Sequence, residues 1–344
     1  MTPKLSICIP TYNFAEFIGD TLASIVHQAP ENVEIVIVDG ASTDNTQSTV
    51  SEWQKKYPAI KYFRLEERGG IDQDLAKSVE LASGDYCWLF SSDDVMRPYA
   101  IERLMERLEV DCDVYVCEHS ICDKHMRVLY GHPIFSDKLS RVVDFSNATQ
   151  RRECMMAGRN TEALFSFMSG LIVHRTKWLS VEPPAAFLGS CWWHVVRLLE
   201  LARTRLRVCY VGEVWLDKRG DNDSFLSLGV VNRFKIAIDG FVKIATYFYG
   251  TDSIETAHVR RYLRNELSLL SFFYAKDLAI RSPQLENRRE LDRMFTMCYG
   301  NCGPMGLVAE TLYYYLPIAI YHRLKTFYKF MRGGLRWARD YARK

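Results

Sequence analysis

Two adjacent carboxylates, Asp93 and Asp94, end a short apolar run over residues 86–90 of this 344-residue chain. A run this short, bounded by turn residues, is typical of a strand buried on both faces. Asp is a poor strand former, so the pair marks a sheet edge, where it can hold a hard divalent cation such as Mg²⁺ or Mn²⁺. The pair could instead cap the helix predicted over 100–108, because Asp is a favoured N-cap.

Polar residues also follow the earlier strands of the chain. The strand patterns cover 5–10, 33–38, 60–65 and 86–90, and helical patterns between them cover 14–28, 45–57 and 72–82. This alternation predicts a mostly parallel sheet with right-handed crossovers. Because parallel strands end at one edge, we expect residues 11–13, Asp39, Ser42 and the 93–94 pair to converge there.

The alternation weakens in the second half of the chain. Strand patterns continue over 114–119, 127–130, 170–174 and 206–211, with a periodic helix over 190–204. From about residue 226 the pattern is almost entirely helical. The fold class predicted is therefore α/β, with a Rossmann-like domain over 1–225 and a helical C-terminal extension over 226–344.

The composition is that of an ordinary globular protein, with 48% hydrophobic and 25% charged residues and a net charge of +2. This charge gives no indication of a nucleic-acid partner. The ten cysteines are scattered through the chain, several of them in apolar strands, and no signal-like segment precedes the first strand. We therefore expect a cytoplasmic protein with free thiols. No apolar stretch is long enough to span a bilayer.

The motifs of the first half, taken in order, resemble family 2 glycosyltransferases. They are SICIPTYN at 6–13, EIVIVDGASTDNT at 34–46, the Gly69-Gly70 pair, ASGDY at 82–86 and SSDD at 91–94. The resemblance is close over about 4–110 and loose over 110–225. It implies a GT-A fold, with a donor-binding half over 1–110 and an acceptor half over 111–225. The implied reaction is transfer of a sugar from a nucleoside diphosphate.

The resemblance also implies which residues hold the donor. Tyr12 would lie near the base, and Asp39 would accept a hydrogen bond from its imino N–H. The backbone at Gly70 and the helix that begins there would approach the phosphates, whereas Asp72 could simply cap that helix. Arg219 would close over the diphosphate, unless it belongs to a surface turn. The donor-binding set implied is Pro10, Thr11, Tyr12, Asp39, Ser42, Gly70, Asp72, Ser92 and Arg219.

The metal motif of the family is reduced in this chain. Family members end the fourth strand with Asp-X-Asp, but here Ser91 replaces the first Asp. The resemblance leaves Asp93 as the metal ligand and catalytic carboxylate, with Asp94 beside it. Losing one carboxylate weakens the expected site, because Mg²⁺ rests on few protein ligands.

The catalytic base is missing from its usual place. Inverting family members carry an acidic residue at the start of a late helix, where this chain has Ser190-Cys191. His194, one turn further along, could accept the acceptor's proton at neutral pH. The alternative is a partly buried histidine held by a main-chain carbonyl.

Two other segments attract attention. Residues 117–125 contain two cysteines and two histidines, but their spacing fits no zinc finger and favours a strand followed by a turn. Residues 321–344 carry an apolar stripe beside a basic strip, which is typical of a helix on an anionic membrane. A helix packed on the protein body is the alternative for this segment.

The amino-acid sequences at 69–75 and 86–94 resemble those of the O-antigen branch of the family, notably its abequosyltransferase-like members. This resemblance implies a CDP- or GDP-linked 3,6-dideoxyhexose donor and a lipid-linked oligosaccharide acceptor at the inner face of the membrane. Two alternatives stay open: a sugar nucleotidyltransferase, and a nucleotide- or sugar-binding module without catalysis.

Overall fold

The structure, a computed structural model, describes residues 5–137, 139–300 and 302–323. Its strands form one sheet. The strands are β1 (Leu5–Thr11), β2 (Val33–Asp39), β3 (Ile60–Arg64), β4 (Tyr86–Leu89), β5 (Val95–Met96), β6 (Val114–Cys122), β7 (Val128–His132), β8 (Arg141–Asp144), β9 (Leu171–His174) and β10 (Arg207–Lys218).

Helices follow most of the strands, and among the described residues after β10 the regular elements are all helical. They are α1 (Ile18–Val26), α2 (Thr46–Lys56), α3 (Ile71–Leu81), α4 (Ala100–Arg107), α5 (Ala148–Ala157), α6 (Arg175–Leu179), α7 (Trp193–Leu201), α8 (Val230–Tyr249), α9 (Ile254–Glu266), α10 (Leu269–Arg281), α11 (Arg288–Tyr299) and α12 (Gly303–Tyr315). Short 3₁₀ turns lie at Leu108–Val110, Thr161–Leu164, Met168–Gly170, Ala185–Phe187 and Ser224–Leu228.

The sheet has the order β3-β2-β1-β4-β9-β6-β10-β5, with β7 beside β6 and β8 beside β10. Strands β1 to β4, β6 and β10 run in one direction, and β9 and β5 run against them. The chain order reverses beside β1, between β2 and β4, so a crevice opens beyond the carboxyl ends of these strands. The predicted α/β class with a mostly parallel sheet is confirmed.

The core forms because β1 and β2 are apolar on both faces. Ile7 and Ile9 of β1 belong to a buried cluster with Leu22 of α1 and Val50 of α2. The thiol of Cys8, between those two isoleucines, points to the opposite face and donates to the main-chain carbonyl of Ser78 in α3. Helices therefore cover both faces of these strands, and only their ends are open to a ligand.

The last strand is longer than the sequence pattern indicated. The pattern predicted a strand over 206–211, but β10 continues to Lys218 through register irregularities between Val211 and Leu216. Such irregularities interrupt the alternation of side chains between the two faces of the sheet. A prediction from apolar periodicity alone therefore ends the strand too early. The extension brings Lys218 and Arg219 to the edge where β4 ends.

The chain forms two compact units. The first contains the described residues up to Ser224 together with Lys243–Tyr262, and the second contains Phe225–Val242 with 263–323. The second unit has its own aromatic core, in which the rings of Phe295 and Tyr313 stack with centroids 4.0 Å apart. The boundary predicted at residue 225 stays a prediction about domain organisation.

No helix among the described residues has the length and apolar character required to cross a bilayer. The predicted membrane-surface segment over 321–344 lies, from residue 324 onward, outside the described part of the chain.

Candidate functional site

Asp93 lies at the open end of β4 and is half-buried. One carboxylate oxygen accepts a hydrogen bond from the hydroxyl of Ser91, and the other accepts from Asn222 Nδ2 at 2.5 Å. Ser91, which stands where the family motif has its first Asp, therefore orients the remaining carboxylate. Each carboxylate oxygen keeps a further lone pair, so Asp93 fits a cation that is otherwise held by phosphate oxygens and water.

Asp94 faces the interior, which corrects its assignment as a metal ligand. Its side chain is only 2% exposed. Its carboxyl accepts hydrogen bonds from the Ser169 hydroxyl at 2.6 Å and from the main-chain N–H of Arg219 at 3.1 Å. Burial, reinforced by the neighbouring charge of Asp93, raises the pKa of Asp94 to about 7. Asp94 therefore joins the ends of β4 and β10 and does not face a ligand.

No group of three or more His, Cys, Asp or Glu side chains in the described ranges has a geometry that could hold a metal ion. A metal at this edge would therefore depend on Asp93 together with the donor's own diphosphate. Ser92, which the sequence analysis included in the donor-binding set, is buried.

The assignment of Arg219 to the diphosphate is also corrected, because its guanidinium already makes hydrogen bonds within the protein. Nε donates to the Asp93 carbonyl at 2.9 Å, one terminal nitrogen donates to the Lys124 carbonyl at 2.7 Å, and the other pairs with Asp20 at 2.9 Å. The plane lies 4.8 Å from the ring centre of Phe17. Arg219 therefore fastens the loop that carries Asp93, and each of its three side-chain nitrogens already donates within the protein.

The neighbouring cation, Lys218, was not in the donor-binding set predicted from the sequence. Lys218 Nζ has no hydrogen bond or ion pair within the part of the chain that the structure describes, and it lies 5.0 Å from the ring centre of Phe167. Its charge acts on Asp94, whose pKa it lowers against the larger effect of burial. A half-buried ammonium without an anionic partner suits a phosphate. The sequence signal was the Lys-Arg pair, in which bidentate geometry favoured Arg219.

The expected nucleoside residues converge at the ends of β1 and β2. Thr11 and Asp39 are register partners, as are Pro10 and Val38. Asp39 is completely buried and accepts hydrogen bonds from the Ser42 N–H at 2.7 Å and the Tyr62 hydroxyl at 2.5 Å. These contacts fix the orientation of the Asp39 carboxylate, and its base-binding role stays a prediction.

Tyr12 carries a cation on its ring. The guanidinium of Arg68 lies 4.0 Å from the ring centre of Tyr12, across from the end of β1. Arg68 precedes the Gly69-Gly70 pair, and Gly70 adopts φ 89°, a left-handed conformation that favours glycine. The loop between β3 and α3 thus reaches over the residues expected to hold the base.

Asp72 ties together two helices. Its carboxylate accepts from the main-chain N–H groups of Cys191 at 3.1 Å and Trp193 at 3.3 Å, at the start of α7. It therefore caps α7 and not its own helix, which corrects that alternative. Burial raises the pKa of Asp72, against the hydrogen bonds that lower it. The start of α7 therefore contacts one carboxylate, which comes from α3.

The assignment of His194 as the catalytic base is corrected. Its side chain is buried, and Nε2 has no hydrogen-bond partner among the described residues. Burial lowers the pKa of His194 to about 4, although hydrogen bonds to the main chain at Ser166 and Phe165 oppose this shift. A neutral, enclosed imidazole is a weak base and cannot reach an acceptor hydroxyl. Apolar periodicity could not distinguish this core histidine from an accessible one.

A buried polar cluster lies beside Lys218. It joins His119 of β6, His132 of β7 and Glu162, whose carboxylate oxygens lie 3.5 Å and 3.4 Å from the two rings. Burial, with the charge of Lys218, lowers the pKa of His132 to about 4 and that of His119 well below its ordinary value. The segment over 117–125 is therefore a strand with its turn, as predicted.

The chain is similar to proteins of one family. The family model described as glycosyl transferase family 2 matches residues 6–164. The abequosyltransferase RfbV of Salmonella typhimurium is 32% identical over 252 residues, which cover 72% of this chain and 75% of that protein.

Two solved structures share the fold. S. aureus TarS in complex with UDP-GlcNAc has a TM-score of 0.59 at 16% identity, covering 95% of this chain and 91% of that one. The mannosyltransferase PcManGT from Pyrobaculum calidifontis, in complex with GDP-Man and Mn²⁺, has a TM-score of 0.54 at 16% identity, covering 92% and 88%. At such low identity these likenesses establish the fold alone.

Replacing Asp94 by Asn is expected to flatten part of the pH dependence of stability. A carboxyl whose pKa is raised by folding stabilises the protein while protonated, and this contribution declines as the pH rises toward about 7. Between pH 4.5 and 7.5 the wild-type free energy of unfolding should fall by about 1–3 kcal/mol relative to Asp94→Asn. Urea unfolding measures this difference. Glu109→Gln, on the surface, should follow the wild type; parallel profiles for Asp94→Asn would contradict the assignment.

Replacing His194 by Asn should reduce stability and spare turnover. The shorter side chain keeps an N–H near the same carbonyls but leaves a cavity, so we expect a loss of about 1–3 kcal/mol. A general base would instead contribute about 10²- to 10⁴-fold to the rate. Sugar-transfer assays and urea unfolding of the same preparation separate the two roles. A hundredfold fall in kcat at unchanged stability would restore His194 as the base.

Proposed function

The chain belongs to glycosyl transferase family 2 and is a glycosyltransferase, and from this premise we propose its substrates. The donor is a CDP- or GDP-linked sugar, specifically a 3,6-dideoxyhexose such as abequose. The acceptor is a hydroxyl of a lipid-linked O-antigen intermediate. The observation that supports this proposal most is the similarity to an abequosyltransferase, which extends over 72% of the chain and beyond the donor-binding motifs.

The donor would lie across the carboxyl ends of β1, β2 and β4. Thr11, Tyr12, Asp39 and Ser42 would hold the nucleoside, since they meet at the ends of β1 and β2. The diphosphate would lie near Asp93 and Lys218, where a free ammonium stabilises the negative charge that develops as the sugar leaves. Ser91 and Asn222 would keep the Asp93 carboxylate in one orientation during this step.

A divalent cation, Mg²⁺ or Mn²⁺, would be held by Asp93 and would neutralise charge on the leaving diphosphate. The related fold of PcManGT was solved with Mn²⁺ and a nucleotide sugar, which supports this part of the proposal. Because Ser91 replaces one carboxylate of the family motif, the diphosphate would supply most of the other ligands of the cation.

The family assignment favours glycosyl transfer over both alternatives left open by the sequence, a sugar nucleotidyltransferase and a module without catalysis. The proposed place of the enzyme is the cytoplasmic face of the membrane, as a peripheral protein. The support for this is the basic and apolar pattern over 321–344, together with a lipid-linked acceptor.

A donor panel tests the function. CDP-, GDP- and UDP-linked sugars are offered with a lipid-linked oligosaccharide, with and without Mn²⁺, and transfer is followed by mass spectrometry. We expect transfer from a CDP- or GDP-linked dideoxyhexose. Asp93→Asn should lower kcat by about 10²-fold or more, because charge stabilisation of the leaving group is lost. The control is Glu52→Gln on exposed α2. Donor binding without transfer to any acceptor would refute the proposal.

Lys218 and Arg219 should differ in what they affect. Lys218→Ala removes a charge-assisted contact to phosphate, so the KM for the donor should rise by about 10- to 100-fold at unchanged stability. Lys218→Arg should recover part of this loss. Arg219→Ala should instead lower the free energy of unfolding, because it removes the hydrogen bonds from the guanidinium to Asp20 and to the main-chain carbonyls of Asp93 and Lys124. If Arg219→Ala raised the donor KM at full stability and Lys218→Ala had no effect, the two roles would be exchanged.

A further inference from the structure

Helix α12 exposes apolar side chains along most of its length. The relative exposures run from 38% to 82%, and the residues are Met305, Leu307, Val308, Leu312, Tyr314 and Tyr315. Exposed apolar residues are common when they stand singly on a protein surface. Six of them on one helix of 13 residues form a continuous patch, and such patches mark interaction surfaces.

These six side chains, called the apolar arc below, occupy one side of the helix. At about 100° per residue their positions spread over about half of the helical circumference. Residues 303–320 contain one charged residue, Glu310, whose position lies beside the apolar arc and not within it. The exposed half of α12 is therefore free of charge.

The opposite side of α12 is fixed to the rest of its unit. It consists of the buried residues Gly306, Ala309 and Tyr313. A Cβ added to Gly306 would lie 2.6 Å from the carbonyl oxygen of Tyr299, so α12 rests directly on the main chain of α11. The hydroxyl of Tyr313 donates to the carboxylate of Asp292 at 2.6 Å. These contacts set the rotation of α12 about its axis, and the apolar arc cannot turn inward.

The width of the apolar arc indicates what kind of partner covers it. A helix that packs on another helix, from the same chain or from a second copy, covers a stripe of about 100°. A lipid bilayer covers the whole exposed half of a helix that lies in its interface. At about 1.5 Å per residue α12 is about 20 Å long, shorter than the hydrocarbon core of about 30 Å, so it can lie on a bilayer but cannot span one.

The side chains at the end of α12 and the sequence after it also favour a bilayer. Tyr314 and Tyr315 are 43% and 82% exposed, and tyrosine suits the headgroup region because it joins an apolar ring to a hydroxyl. Residues 324–344 contain seven Lys and Arg against one acidic residue, Asp340. Such a basic segment attracts anionic lipid, whereas two copies that met at this face would bring like charges together.

We propose that the apolar arc of α12 is the surface through which the chain lies on an anionic lipid bilayer. Leu307, Val308 and Leu312 enter the boundary between headgroups and acyl chains, and the two tyrosines stay at the level of the headgroups. The inference rests on the proposed function, whose acceptor is lipid-linked. It adds the described surface that holds the enzyme at the membrane where that acceptor lies.

Flotation of the full chain with lipid vesicles tests the inference. The vesicles contain phosphatidylglycerol and phosphatidylethanolamine, or phosphatidylcholine alone as the uncharged reference. We expect wild type to bind the anionic vesicles and to keep part of this binding at about 0.5 M salt, where headgroup attraction is screened but apolar contact is not. Leu307→Gln combined with Val308→Gln should lower the partition coefficient by about tenfold or more, because two aliphatic side chains are lost from the interface.

The matched control is Val128→Gln combined with Leu129→Gln. It changes the same two residue types, each 56% exposed, on β7, and it should bind vesicles like wild type. Met305→Gln, at another position of the apolar arc, should lower the partition coefficient by about threefold and keeps the test decisive if the double variant does not fold. Urea unfolding and light scattering of the same preparations should show unchanged stability and mass.

Normal vesicle binding by the α12 variants would overturn the inference. A fall in stability alone would then indicate that residues 324–344 of the chain itself cover the apolar arc, and a change from dimer to monomer would indicate a second copy. An equal loss of binding in the β7 control would also overturn it. Sugar transfer to a water-soluble acceptor analogue should be the same in every variant, so these outcomes leave the proposed function standing. Absence of transfer by wild type to any acceptor would refute the proposed function whatever the vesicles show.

Discussion

The arrangement of residues at the ends of β4 and β10 depends on one buried carboxyl, that of Asp94. Asp94 accepts hydrogen bonds from Ser169, before β9, and from the main chain of Arg219, after β10, while its own main chain accepts from Thr21 of α1. Arg219 then fastens the main chain of Asp93. Because these segments are distant in sequence, the position of Asp93 is set by tertiary contacts through Asp94.

This arrangement separates two neighbouring carboxylates by role. Asp94 points inward, where burial favours its neutral form, and Asp93 points to the crevice, where Ser91 and Asn222 orient it. Two ionised carboxylates this close would repel each other, and the raised pKa of Asp94 relieves that repulsion. The single carboxylate at the crevice is consistent with the proposal that substrate phosphate and Lys218 supply the rest of the charge balance.

Two departures from the family motifs make hydrogen bonds of their own within the structure. Ser91 gives up a carboxylate but orients Asp93, and the start of α7, which has no acidic residue of its own, receives the carboxylate of Asp72 from α3. The same helix places Asp74 beside Asp39. Helix α3 therefore holds the start of α7 through the hydrogen bonds of Asp72, and its Asp74 side chain packs against Gly40, which follows β2.

The sequence by itself determined the α/β class, the order of the first strands and helices, and the convergence of Thr11, Asp39 and Asp93 at one edge. Apolar runs and turn residues specify these features locally, and parallel strands must end together. The tertiary structure alone decided which side chains face the crevice. Asp93 and Asp94 are the same residue type but face different ways, and Lys218 and Arg219 differ in the partners that they reach. These directions follow from the contacts of Ser169, Asp20 and Lys124, far away in sequence. His194 and Asp74 depended likewise on burial, which is a property of packing between distant segments and leaves no signature in the spacing of residues.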